Sequence, residues 1–223
     1  MAQAGIHGIV GVVTRKWTAA RKWLALGVVL GNMLPDADNL AVAAATLTGS
    51  STEGLHRTFT LSLFTVLAIV VVFYAIARAS GRPRWGNLGL GLGIGVLMHI
   101  LLDLVIWFNG VEILWPLPSW INFWEGVAPP LWWSQLMLPV EMLFFALFFF
   151  LLEKRARKLG TDSGFLRPLR RWTLVQAALF LIFLVLVYVM EKGFLTIFGA
   201  VYLLSLGLAF GVTIRMRETV EAI

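Results

Sequence analysis

The chain contains no cysteine, so neither a disulfide nor a thiolate metal site is possible, and any metal must be held by His, Asp, Glu or backbone oxygen. It is also poor in charge: only 13% of its 223 residues are charged, against 59% hydrophobic, and mean hydropathy is +0.85. Soluble domains carry about 25% charged residues, so a water-solvated globular fold is excluded and the bilayer is the solvent. Alternating strand patterns are missing too. Runs such as "LFFALFFFLL" and "LFLIFLVLVYVM" are apolar all round, which argues against a transmembrane barrel. A lipid-facing backbone must then satisfy its own hydrogen bonds, which leaves helices. A charged n-region before the first apolar stretch is lacking, so no cleavable signal is expected. Neither an internal repeat nor a low-complexity tract interrupts the chain, so residues 1–223 are expected to form one transmembrane domain.

What is present is a series of apolar segments separated by basic clusters. Residues 58–77, 86–108, 131–152 and 194–214 are long enough to span, and 172–190 is slightly short. The N-terminal part is less regular. Residues 2–13 are a short apolar stretch, and 23–48 are interrupted by "PDADN", which predicts a broken helix over 23–34 and 40–48. The fold class expected is all-α polytopic, with about six or seven transmembrane helices and the second broken at the PDAD motif.

The net charge of +6 is read as orientation rather than nucleic-acid binding, because Lys and Arg cluster between the apolar segments. The clusters are Arg15, Lys16, Arg21 and Lys22; Arg78, Arg82 and Arg84; Lys154 to Arg171; and Arg215 with Arg217. Placing all of them on the cytoplasmic side gives a consistent alternation, with the N-terminus outside and the C-terminus inside. The loop 109–130 then faces outward. Its Trp115, Trp120 and Trp124, with Trp107, Trp132 and Trp133 at its ends, form either an interfacial aromatic belt or a lid over a site.

Few polar groups lie within the apolar segments, and such groups are costly there. His99 and Asp103 stand four residues apart, on one helix face, where they can serve one metal or form an internal pair. His7, Asp36, Asp38 and His56 fall at the same depth, in the outer half of the bundle. Unpaired carboxylates there would be costly, and a divalent ion removes that cost. Imidazole and carboxylate ligands suit zinc, manganese or iron. Arg57 follows His56 and either snorkels to a headgroup or clamps a phosphate. Glu141 is a further ligand or a structural group. "GLGLGIG" over 89–95 follows no soluble strand and is not a dinucleotide loop; Gly89/Gly93, Gly91/Gly95 and Gly27/Gly31 sit at the small-xxx-small spacing of closely packed helices. The phenylalanines of 144–150 are packing or lipid-facing residues.

"GIHG", "LPDAD", "HRTFTLSL" and "GVLMHILLDL" followed by "GVEILWP" resemble, in that order, the motifs of a LexA-regulated inner-membrane family of bacteria and archaea. The likeness covers residues 5 to about 118, the motif-bearing half (1–118), while 131–223 add motif-free helices. The resemblance implies a metal-dependent hydrolase distantly related to zinc-dependent phospholipase C, with metal ligands at His7, Asp36, Asp38, His56, His99 and Asp103. Two positions depart from the family's pattern: Asn39 and Leu61 each stand where the family has histidine. The expected function is hydrolysis of a lipid or lipid-linked phosphoester near the outer leaflet of an inner membrane, with a divalent cofactor, zinc ahead of manganese or iron, and membrane lipids as partners. In that reading Asp38 binds metal or acts as general base and Arg57 steadies the phosphate. The competing readings are a non-enzymatic subunit or scaffold that keeps a degenerate site, and a small transporter.

Overall fold

The computed structural model describes residues 3–14 and 21–222; Arg15 and Lys16 of the first basic cluster lie outside the described residues. Nine α-helices are present among them. Five are long and apolar enough to cross a membrane: α4 (Leu63–Ser80), α5 (Pro83–Ile106), α6 (Leu131–Leu159), α7 (Leu166–Val189) and α8 (Phe194–Arg215). They fall on the five long apolar segments of the sequence. Their ends follow local chemistry. The Ser62 hydroxyl accepts from the Phe64 N–H at 3.2 Å to start α4, and Pro83 opens α5, where its missing N–H costs nothing.

The first two apolar segments behave differently. Helix α1 (Ala4–Thr14) has 11 residues and α2 (Leu24–Met33) has 10. At about 1.5 Å per residue each reaches roughly half of the ~30 Å hydrocarbon core. Neither spans alone, so the expected six or seven crossings resolve into five long helices and two half-length ones. Both short helices are wrapped by others: nine of the ten residues of α2 are buried. The chain then continues through a tightened 3-10 turn, Pro35–Asp38, into α3 (Asn39–Thr48). The interruption expected at PDAD is therefore a single turn of 3-10 geometry, with Leu34 and Asn39 still right-handed helical on either side. Helix α3 buries only Ala45, and Leu40 and Leu47 are exposed.

Glycines set the closest approach in the bundle. A Cβ at Gly27 would meet the Leu88 carbonyl and the Gly91 Cα, and one at Gly95 would meet the Val28 carbonyl. Helices α2 and α5 therefore touch backbone to backbone, which small residues permit in a membrane protein. Gly89 and Gly93, on another side of α5, receive Phe73 and Val70 of α4.

Two apolar clusters surround this arrangement. The larger joins α1, α2 and α6–α8 with α9 (Arg217–Glu221) through Met33, Phe145, Phe148, Phe149, Phe198 and Tyr202. The phenylalanine run is thus mainly packing. The smaller holds Leu61, Val66, Val96, Ile100, Leu104 and Val111. Within 109–130 a two-stranded antiparallel ribbon forms, β1 (Val111–Glu112) with β2 (Trp120–Ile121), pairing Val111 with Ile121.

Candidate metal centre

Helix α5 presents His99 and Asp103 one turn apart, both buried, on the side that faces α1 and the 3-10 turn. Helix α1 brings His7 to the same point. Its Nε2 lies 3.1 Å from Asp103 Oδ1, and its ring stacks on that of His99 with centroids 3.7 Å apart. His99 Nε2 stands 3.7 Å from Asp103 Oδ2 and 4.0 Å from Asp36 Oδ1. Ligand atoms of His7, His99 and Asp103 all fall within 4.8 Å of one another, a spacing that could hold a metal ion.

The hydrogen bonds around these groups decide which lone pairs are free. His99 Nδ1–H donates to the Asn32 carbonyl at 2.7 Å, so its Nε2 carries the lone pair and points to the carboxylates. With the His7 Nε2–H donating to Asp103, its Nδ1 remains buried without a partner, as does Asp36 Oδ2. Buried polar atoms are normally paired. Two orphaned acceptors beside a third free imidazole nitrogen therefore form a donor set that fits a divalent cation.

Arg57 is also built into this centre. It is 1% exposed, and Nη2 lies 3.1 Å from Asp103 Oδ2. Its Nη1 donates weakly, at 3.4 Å, to the carbonyls of Asn109 and Gly110. The residue sits at φ 64, a left-handed conformation uncommon outside glycine. A headgroup-snorkelling arginine would be exposed, so burial removes that alternative.

Asp38 and His56 form a separate pair rather than joining the triad. His56 Nδ1 lies 2.8 Å from Asp38 Oδ1. The same carboxylate accepts from Thr60 Oγ1 at 2.9 Å, the Arg57 N–H at 3.3 Å and Asn39 Nδ2 at 3.3 Å. Four donors engage its two oxygens, while His56 Nε2 has no partner. Of the six ligands expected from the sequence, then, three converge, Asp36 stands beside them, and Asp38 with His56 makes an adjoining dyad linked through Arg57.

The two departures have distinct settings. Asn39 Nδ2 also donates to the Asp36 carbonyl at 2.9 Å, so it ties the 3-10 turn together. Leu61 is 1% exposed within the smaller apolar cluster. Glu141 is buried on α6, and its Oε1 accepts from the Gly5 N–H at 2.8 Å, satisfying a first-turn donor of α1. The Trp-rich loop is laced over the 57–63 stretch: Glu112 N–H donates to the Arg57 carbonyl at 3.1 Å, and Ser62 Oγ to the Trp115 carbonyl at 2.8 Å. Its tip leaves Leu117, Trp120 and Phe123 exposed. The loop thus packs on the stretch that carries Arg57 and presents an apolar edge.

Sequence reasoning missed Asn32, whose backbone carbonyl orients His99. Its position one turn ahead of Asp36 was the available signal. The family model described as YdjM inner membrane protein matches residues 3–195. No curated protein and no solved structure matches.

Proposed function

The chain belongs to the YdjM inner membrane protein family, and we propose that it is a membrane-embedded, metal-dependent hydrolase acting on a lipid or lipid-linked phosphoester near the outer leaflet. The observation that carries this reading is the buried His7–His99–Asp103 triad, with the unpartnered His7 Nδ1 in it and Asp36 Oδ2 beside it. Three further carboxylates, Asp36, Asp38 and Glu141, are buried nearby with a single guanidinium, that of Arg57. Such an excess of negative groups at low dielectric calls for a cation or for protons.

His7, His99 and Asp103, with Asp36, would hold the metal, zinc being the best match to imidazole and carboxylate and manganese or iron the alternatives. A bound divalent ion supplies a Lewis acid and a water of lowered pKa. The chain's own residues do the rest. Arg57 Nε is buried without a hydrogen-bond partner, and a phosphate oxygen would complete it. Asp38 acts as a positioning residue, because its oxygens are occupied in orienting His56. His56 Nε2 is then the proton acceptor, in the manner of a carboxylate-oriented imidazole. The covering loop limits water at the centre and offers apolar contacts to acyl chains. The basic clusters support an orientation with the N-terminus outside and the C-terminus cytoplasmic, in a bacterial or archaeal inner membrane.

A catalytically degenerate subunit or scaffold of a larger membrane complex is the second reading. It is favoured by Leu61 in an apolar pocket and by the Arg57–Asp103 ion pair, which already places a cation at the triad. Metal analysis of the purified protein separates the two. Wild type should retain about one or more divalent ions per chain, and His99→Ala and Asp103→Asn should each lose most of it. Equal metal in all three sinks the enzyme reading. With metal present, His56→Gln should abolish phosphodiester hydrolysis while leaving metal content unchanged.

A further inference from the structure

At the other end of the bundle lies a cavity that the proposed function does not use. It occupies about 690 Å³ at the turn from α6 to α7 and is lined by Arg157, Arg167, Arg170, Arg171, Ser163 and Gly164, among others. The distance from the metal centre follows from α5. Twenty residues separate Pro83, at this end, from Asp103, which is about 30 Å of helix.

The cavity's charge is of one sign: no Asp or Glu lines it. Arg157 is bound to Glu153, through Nε at 3.0 Å and Nη2 at 2.7 Å. Arg167, Arg170 and Arg171 have no ion-pair partner among the described residues. Their i, i+3, i+4 spacing places three like charges on one face of α7, an arrangement that is unfavourable until an anion joins it. Gly164, in the 3-10 turn that leads into α7, leaves open space where a Cβ would stand. Arg215 lies over the Phe165 ring at 5.6 Å, adding another cation beside the same turn.

Loop basicity alone explains how many cations stand at this end of the bundle. It does not explain why Arg167, Arg170 and Arg171, none with an ion-pair partner among the described residues, converge on a cavity of ligand size. We infer that this cavity binds the phosphate of an anionic ligand, the phosphodiester headgroup of a membrane lipid, clamped between the α6 end and the α7 face. The acyl chains would lie along α7, whose Leu174, Leu181 and Val185 are exposed.

The test is lipid binding to the detergent-purified full chain, read by native mass spectrometry. Probes are phosphatidylglycerol, phosphatidylcholine and inorganic phosphate. Wild type should bind phosphatidylglycerol at least tenfold tighter than phosphatidylcholine. Arg167→Gln with Arg170→Gln should weaken it by about thirtyfold, taking one headgroup-strength contact per arginine. Lys154→Gln with Lys158→Gln removes equal charge from the same end without touching the cavity lining, and should weaken it less than about threefold. Displacement of the lipid by micromolar inorganic phosphate would support the phosphate clamp and assign its ligand to a soluble source. No preference for phosphatidylglycerol in wild type, or equal loss in both double variants, would overturn the proposal. The wild-type comparison needs no variant to fold, and metal content at the distant triad is an independent readout.

Discussion

At the scale of single residues, Arg57 joins the most functions in the smallest space. Its guanidinium neutralises Asp103, its N–H holds Asp38, and its carbonyl accepts from Glu112. Removing the side chain leaves a buried carboxylate without its partner. Arg57→Ala should therefore destabilise the protein by about 3–5 kcal/mol. Arg57→Gly loses the same charge but relaxes the left-handed backbone, and should recover about 1 kcal/mol of that loss. Thermal unfolding in one detergent measures both; equal losses would show that φ 64 carries no strain. Leu61 provides a second residue-level test. Leu61→His introduces the imidazole that the motif resemblance implies here, yet the site around it is Val66, Val96, Ile100 and Val111. The imidazole would lack a partner there and cost roughly 1–3 kcal/mol. Metal content should not rise; an increase would mean that the pocket rearranges to admit a further ligand.

At the scale of elements, the centre depends on two half-length helices being held by their neighbours. Helix α2 presses its backbone on α5 through Gly27 and Gly31 facing Gly91 and Gly95. Gly95→Val would push α5 away from the Val28 carbonyl and the turn that carries Asn32. Overpacking of this kind costs about 1–3 kcal/mol. Because Asn32 orients His99, the same variant should lower metal retention, measured beside Tm. Loss of stability with metal retained would separate packing from site geometry. Helix α1 is held at its start by Glu141. Glu141→Gln keeps an acceptor for the Gly5 N–H and should be tolerated, whereas Glu141→Ala should cost about 1–3 kcal/mol. Similar unfolding temperatures for the two would show that the bond contributes nothing. The PDAD turn was legible as an interruption because proline cannot continue the hydrogen-bond ladder. Its tightened 3-10 form was not, since that depends on Asn39 and the neighbouring 56–60 stretch closing over Asp36 and Asp38.

For the whole molecule, helices α4 and α7 turn most of their apolar surface outward, and α4 buries only Val66. Such faces suit lipid. The lack of cysteine makes orientation directly measurable. Single-cysteine variants Ser163→Cys and Glu125→Cys place a thiol at either end of the bundle on a background of none. With an impermeant maleimide on intact spheroplasts, Glu125→Cys should label and Ser163→Cys should label only after permeabilisation. The reverse pattern would invert the proposed orientation.

Composition and periodicity were enough to determine that this chain is an all-helical membrane protein and where its five long helices lie, because the bilayer requires continuous apolar runs and tolerates few others. They also placed His99 and Asp103 on one face, since helical spacing is local. What only the tertiary structure decided is which distant polar groups meet. His7 reaches Asp103 because α1 is short and buried, and no local pattern encodes that packing. Asp38 and His56 part from the triad because four donors saturate one carboxylate, and those donors come from two separate stretches of chain. Depth in the membrane follows from sequence; contact at a given depth follows from how glycine-faced helices close on one another.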